Sequence, residues 1–294
     1  MRSFLSAVLI ALVAVLTPLS ALAVWADRDI GDTDGYVAAM APLASDPAVQ
    51  NAVAVRITDE VMQKIDAGPF QEGVQQLVHE AVISFAGTEA YKTAWNTVNR
   101  AAHTAVEDSL TSDSADSVGI DLAPVIEQVK RQLSDEGIPF ADQIPVGNTR
   151  ITVLEADRLG EAREVFDGLQ IAGVWLPVAT LLLAVTGVLL ALHRPRALTG
   201  LGLALAAGGL LLRGSVAVGR GLALDDLPPD VDRPAAGAVF DALTSPLRTT
   251  SWWLLGAGLA LAAGAWLLPH ALSRVAAAGA GPVPKALRSP LPGR

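Results

Sequence analysis

Residues 169–192 read LQIAGVWLPVATLLLAVTGVLLAL and are followed at once by His193-Arg194-Pro195-Arg196. An uncharged stretch of that length, at ~1.5 Å rise per residue, makes ~36 Å of helix, more than the ~30 Å of bilayer hydrocarbon. The basic cluster marks the end expected to stay in the cytoplasm, because cytoplasmic loops carry the Lys/Arg excess. One stretch therefore supplies both a membrane span and its direction.

Three other runs have the same character. Residues 3–26 lie uncharged between Arg2 and Asp27; residues 197–219 are apolar to Leu212, cross Arg213 and continue through Gly214–Gly219; residues 251–269 end before His270 and Arg274. The expected fold is an all-α membrane protein with four transmembrane helices and a mostly helical extracytoplasmic domain between the first and second. Its parts are an anchor over 1–26, the domain over 27–167, three spans within 168–272 with an outer loop over 220–249, and a disordered cytoplasmic tail over 273–294. The first run also fits a signal peptide, since Ala21-Leu22-Ala23 follows an apolar core and a basic start. Its unbroken apolar length favours a retained signal anchor. Either way the following segment lies outside the cytoplasm.

Charge orients the whole chain. With the N-terminus, the 193–197 turn and the tail inside, the inner side holds Arg2, Arg194, Arg196, Arg274, Lys285, Arg288 and Arg294 and no acid. Segment 27–167 then holds 25 Asp/Glu against 10 Lys/Arg, and 213–249 adds five Asp and four Arg, so all 30 acids fall outside. Trp25, Trp252 and Trp253 mark outer interfaces and Trp266 an inner one, as the headgroup preference of indole requires. Trp175 falls in the outer third of its span, and Trp95 alone lies outside the membrane. The 294 residues are 51% hydrophobic with mean hydropathy +0.42 and net charge −9, the average of apolar spans and an acidic exterior. The absence of Cys excludes disulfides, thiolate zinc sites, Cys nucleophiles and cysteine-held clusters. The acidic balance argues against nucleic acid as a partner.

Periodicity in 27–167 is helical. Asp46-Pro47 reads as a cap with proline at the first helical position. Val49, Val53, Ile57, Val61 and Ile65 then follow on one face. A second helix carries Phe70, Val74, Leu77, Ala81 and Phe85, and a third, after Gly87, carries Tyr91, Trp95, Val98, Ala102, Val106 and Leu110. Residues 111–119 read as a polar loop, and a fourth helix runs from Asp121 to Gly137. Segment 137–150 reads as a loop, while Val118–Leu122 and Ile151–Leu154 can pair as short strands. In the outer loop, Asp232 caps a short helix whose Val239, Phe240 and Leu243 would lie on the membrane or dock on the large domain.

The chemistry-bearing residues are sparse. His79-Glu80 begins a zinc-protease motif, but Ile83 stands where the second His belongs. His103 has Asn99 and Glu107 one turn to either side, a spacing that orients an imidazole or makes a weak metal site; the competing reading places Lys92, Asn96, Asn99, His103 and Glu107 on a solvated helix face. His193 and His270 sit at span ends. Asp32/Asp34, Asp59/Glu60 and Asp225/Asp226 are close acid pairs that solvation explains, without an EF-hand spacing. No nucleophile elbow, phosphate loop or dinucleotide fingerprint occurs. No catalytic, cofactor-binding or metal residue is therefore assigned, and no enzyme activity or cofactor is expected. Arg213, the one charge inside a span, is close enough to the outer interface to snorkel. Gly200/Ala204/Gly208 and Gly256/Ala260/Gly264 repeat every four residues, and such ladders on consecutive antiparallel spans predict that these two ridges pack face to face.

Asp32-Thr33-Asp34-Gly35-Tyr36-Val37, Ala41 to Gln50 (APLASDPAVQ) and Ala-Val-Phe-Asp-Ala-Leu at 238–243 with Pro246-Leu247-Arg248 resemble a family of multi-pass membrane proteins of high-GC actinobacterial genomes. The resemblance covers 1–272. It implies one span, an exterior domain and three more spans, and it carries over no activity and no functional residue. The expected role is a cell-envelope binding, sensing or scaffolding module in the cell membrane. Its partners are the lipid bilayer and an envelope protein or cell-wall component met through 27–167. The alternatives are a small permease component, which needs a polar path through the bilayer, and an envelope enzyme, which needs clustered catalytic groups.

Overall fold

A computed structural model describes residues 2–64, 68–111, 118–121, 127, 130–131, 134, 150–154, 156–229 and 231–279. The elements follow the apolar runs. Helix α1 spans Arg2–Trp25 and continues as a π-helical turn over Ala26–Ile30. Between the first and second long apolar helices lie α2 (Thr33–Met40), α3 (Pro47–Met62), α4 (Gln71–Ala86) and α5 (Glu89–Thr111). A two-stranded antiparallel ribbon, β1 (Val118–Asp121) with β2 (Arg150–Leu154), pairs Gly119 with Thr152 and Asp121 with Arg150. Then come α6 (Ala156–Leu190), α7 (Arg194–Asp225), α8 (Arg233–Leu243) and α9 (Ser245–Gly279).

Four of these are long and apolar enough to cross a membrane: Phe4–Ile30, Ile171–Leu190, Arg194–Asp225 and Ser245–Leu267. The chain is an all-α, multi-pass membrane protein carrying one small ribbon. Of the expected fourth helix, 121–137, Asp121 instead ends strand β1, positions 127, 130, 131 and 134 are helical, and the rest falls outside the described residues. Of the expected disordered tail, the first part instead continues α9 to Gly279, because its Ala-rich sequence favours helix; 280–294 lie outside the described residues.

In the membrane layer the helices alternate in direction. Helix α1 packs between α6 and α7, and α7 in turn packs along α9. Buried hydroxyls tie the first of these contacts. Ser6 Oγ donates to the Gly187 carbonyl at 2.7 Å, and Ser20 Oγ meets Thr180 Oγ1 at 2.8 Å. The α7–α9 seam is backbone on backbone. A Cβ on Gly202 would stand 2.5 Å from the Gly258 carbonyl oxygen, and one on Gly258 would stand 2.5 Å from the Gly202 oxygen. Gly209 extends the seam against Ser251 and Leu254.

This corrects the expected ridges. The helices that meet are the expected ones, but the small residues at their seam lie two positions further on. Two residues turn an α-helix through about 200°, so the Gly200/Gly208 side of α7 faces Ile10 and Thr17 of α1. Gly256 and Gly264 meet nothing within 4 Å, and Ala260 is exposed. In an Ala/Gly-rich helix several faces carry small residues at spacing four, so the spacing alone does not choose among them.

Outside the membrane layer, caps place the helices. Asp46 accepts from the Ala48 and Val49 amides at 2.9 and 3.2 Å, as expected of a cap before Pro47. Asp232 accepts from Ala235 N at 2.8 Å at the start of α8. The domain core joins Met40, Leu43 and Val49 to Trp95 and to Val239 and Leu243 of α8. Of the two placements open to α8, docking on the domain is the one found. Its Phe240 turns the other way, onto Leu212, Val216 and Leu247 of the membrane helices.

The expected faces of α3 to α5 need correction too. Ala54 and Thr58 are buried on α3, whereas Ile57 is exposed. Phe70, just before α4, and Leu77 on it are 75% and 70% exposed, and Val74, Val78 and Val82 are half-buried. The α4 stripe follows Val74, Val78, Val82 and Phe85, which turns Leu77 outward.

Candidate functional site

The densest polar geometry lies where the chain leaves the membrane. The π-turn closes with a hydrogen bond from Gly31 N to the Ala26 carbonyl at 2.8 Å. Asp32 then caps α2 by accepting from Gly35 N at 2.9 Å. The chain folds back so tightly that a Cβ on Gly35 would stand 2.0 Å from the Arg28 carbonyl oxygen, so only glycine fits there.

Helix α5 clamps this return. His103 Nε2 donates to the Ile30 carbonyl at 2.8 Å, and its Nδ1 lies 2.9 Å from Thr33 Oγ1. Thr33 Oγ1 donates to Glu107 Oε2 at 2.7 Å. Tyr36 stacks on the imidazole with ring centroids 4.5 Å apart, and burial pushes its phenol above the ordinary value. One turn along α5, Arg100 pairs with Asp34 at 2.6 Å.

Both expectations for His103 are overturned. Both ring nitrogens face protein partners, and Asn99 Nδ2 donates to the Trp95 carbonyl at 2.8 Å, so Asn99, His103 and Glu107 make no metal site. Nor is this a solvated face: Asn96, Asn99, His103 and Glu107 are all half-buried, and Val98 is exposed instead. Within this stripe, His103 and Glu107 pack because Thr33 at the start of α2 brings them a polar partner. Sequence periodicity ranks faces by hydropathy, and the one local signal for this contact was Thr33 beside the Asp32 cap.

The other sequence candidates disperse. Asp32 is a cap and Asp34 an ion-pair member, so that pair holds no shared ligand. Asp59 and His79 line an α3–α4 groove of about 290 Å³ with Glu72, Gln75 and Gln76; Glu80 accepts from Gln76 at 2.9 Å, and Glu60 is exposed. Asp225 and Asp226 are exposed where α7 ends. His193 is exposed at the start of α7, and the His270 side chain lies outside the described residues. The Arg213 guanidinium lies 4.7 Å from the centroid of the Trp252 ring, a cation–π contact between α7 and α9. No group of three or more His, Asp or Glu side chains suited to a metal gathers among the described residues.

A second polar cluster joins α8 to the spans. Asp241 accepts from Arg220 Nε at 2.8 Å and Nη2 at 3.3 Å, and also from Arg248 Nη2. The Arg220 hydrogen bonds hold its carboxyl below the ordinary value against the opposing effect of partial burial, with Arg248 assisting. Trp25 Nε1, at the end of α1, donates to the Leu243 carbonyl at 2.8 Å. Comparison with protein families, curated proteins and solved structures finds no match to this chain.

Proposed function

We propose that this is a cell-envelope binding or scaffolding module: an acidic helical domain held outside the cytoplasmic membrane in a fixed posture, ready to engage an envelope protein. The observation that carries this is the clamped exit from the membrane. His103, Thr33 and Glu107 fasten α5 to the turn after α1, Trp25 fastens the end of α1 to α8, and α8 contributes to the domain core. A domain on a free linker would need none of these ties. The posture leaves the Phe70 and Leu77 side of α4 exposed, an apolar surface flanked by Glu72 and Glu80.

Orientation follows the charge ledger, with both termini cytoplasmic and 27–167 outside. We also infer that α1 is a retained signal anchor. It packs between α6 and α7, and Ala23, inside the Ala-x-Ala triplet, is buried. Membership of the actinobacterial family rests on the residues that resemble it.

Reporter fusions at Asp113 and Asp232 should register the exterior, and fusions at Arg196 and Lys285 the cytoplasm. A photo-crosslinking residue at Leu77 in intact cells should capture a discrete envelope protein, and one at the buried Ala54 should not. Equal labelling from both positions, or a cytoplasmic signal at 113, overturns the proposal.

A further inference from the structure

We propose that the cleft enclosed by α1, α6, α7 and α9 binds a membrane lipid with an ammonium headgroup, the apolar chain lying among the helices and the ammonium beside Asp29. The proposal goes beyond the scaffolding role and stands whether or not the exterior domain has a partner.

The cleft has a volume of about 470 Å³, within the range of small-ligand sites. Its walls are mostly aliphatic, with Val13, Leu181, Leu205 and Leu254 among them. Hydroxyls also line it, but three of them are already engaged. Thr17 Oγ1 donates to the Val13 carbonyl at 2.6 Å, Thr180 Oγ1 to that of Leu176 at 2.8 Å, and Ser20 Oγ meets Thr180 Oγ1. The interior thus favours an acyl chain over a polar solute.

The outer end is different. Trp25 and Asp29 both line the cleft there, at the level where an interfacial indole meets lipid headgroups. Asp29 stands on the π-turn, a rare backbone form that recurs at functional positions. It is half-buried, and among the described residues no hydrogen bond or salt bridge engages its carboxylate. Arg28, the adjacent cation, is exposed. A half-buried carboxylate at the mouth of an apolar cleft is complementary to a cation on an apolar chain, since Coulomb attraction strengthens as water is removed. A head without a cationic group would leave that carboxylate unmatched.

The test uses the full chain, purified and delipidated, with phosphatidylethanolamine and phosphatidylglycerol of identical acyl chains as probes and native mass spectrometry as the readout. The unaltered protein should retain the ethanolamine lipid with about tenfold preference, or about 1.4 kcal/mol. Asp29→Asn should remove the preference while total lipid bound stays similar, and Asp27→Asn should keep it. Ala184→Trp, which fills the cleft, should lower retention of both lipids. An undiminished preference in Asp29→Asn overturns the proposal whatever the filled variant does. Unchanged retention in a folded Ala184→Trp also overturns it, leaving annular lipid only.

Discussion

The α7–α9 seam and the α3–α4–α5 layer are both helix-on-helix contacts, yet they satisfy opposite demands. At the seam, backbones touch through Gly202 and Gly258, and the buried Ser251 hydroxyl donates to the Arg248 carbonyl. In the exterior layer the contact is made by medium-sized side chains, and Thr58 Oγ1, Tyr91 Oη and Asn96 Oδ1 are buried with no hydrogen-bond partner. Lipid neither drives apolar surfaces together nor supplies hydrogen bonds, so membrane helices gain by close approach and internal pairing. Water supplies the hydrophobic drive for the exterior layer, and that burial offsets the cost of its unpartnered polar groups.

The sharpest way to break this comparison is at the seam. Gly258→Leu should destabilise α7–α9 packing by about 3 kcal/mol, the upper end of overpacking costs, because what it meets is backbone that cannot turn aside. Gly256→Leu and Gly264→Leu, on open faces, should have little effect in the same thermal unfolding assay in lipid nanodiscs. A cysteine pair at 204 and 260 should not crosslink, because Ala260 is exposed and off the seam. The reverse result would restore the ridge expected from sequence.

That contrast also shows what the chain made legible. Spans, caps and the ribbon were readable, because a run of 20 apolar residues, an Asp-Pro pair or two short β-prone segments carry their meaning locally. The seam register was not, since Gly200 and Gly202 are equally small and only the neighbouring helix distinguishes them. The role of His103 was hidden for a related reason: its partners Thr33 and Ile30 lie some 70 residues away, and periodicity within α5 has no access to them. At Asp29, nothing in the local sequence marks the π-turn or the cleft.

Within the exterior layer the core should reside at Trp95. Its indole donates to the Met40 carbonyl at 3.0 Å and packs beside Tyr91 and both domain clusters. Trp95→Ala should cost about 3 kcal/mol, the low end for a large aromatic because the ring is only half-buried. Leu77→Asp should change stability by less than about 0.5 kcal/mol, as exposed positions do. Limited proteolysis of the exterior domain checks both. A large loss at Leu77 would mean that α4 is rotated from the orientation described.

At the junction between the two layers, His103→Ala should cost about 1–2 kcal/mol by removing two hydrogen bonds and leaving Thr33 and the Ile30 carbonyl short of partners. A solvated histidine would cost nothing. Hydrogen exchange at Gly31 and Gly35 should rise with this substitution if His103 clamps the turn, and stay unchanged if it does not.

The smallest expected effect belongs to Asp241, whose partners tie α8 to both α7 and α9. The side chains are partly exposed, 37% for Asp241 and 40% for each Arg, so solvent screens the pairs and each contributes little. The pH dependence is still diagnostic. Folding lowers the carboxyl below its ordinary value of 3.8, so the unfolded chain takes up a proton first as pH falls. The stabilisation is therefore complete well above 3.8 and is lost as pH falls through the lowered native value. Unfolding midpoints of the unaltered protein and Asp241→Asn should differ by a constant amount from pH 7 to 5 and converge only below 3.8. Convergence already at pH 5 would mean that the carboxylate is not held by Arg220 and Arg248, and that α8 rests on its apolar face alone.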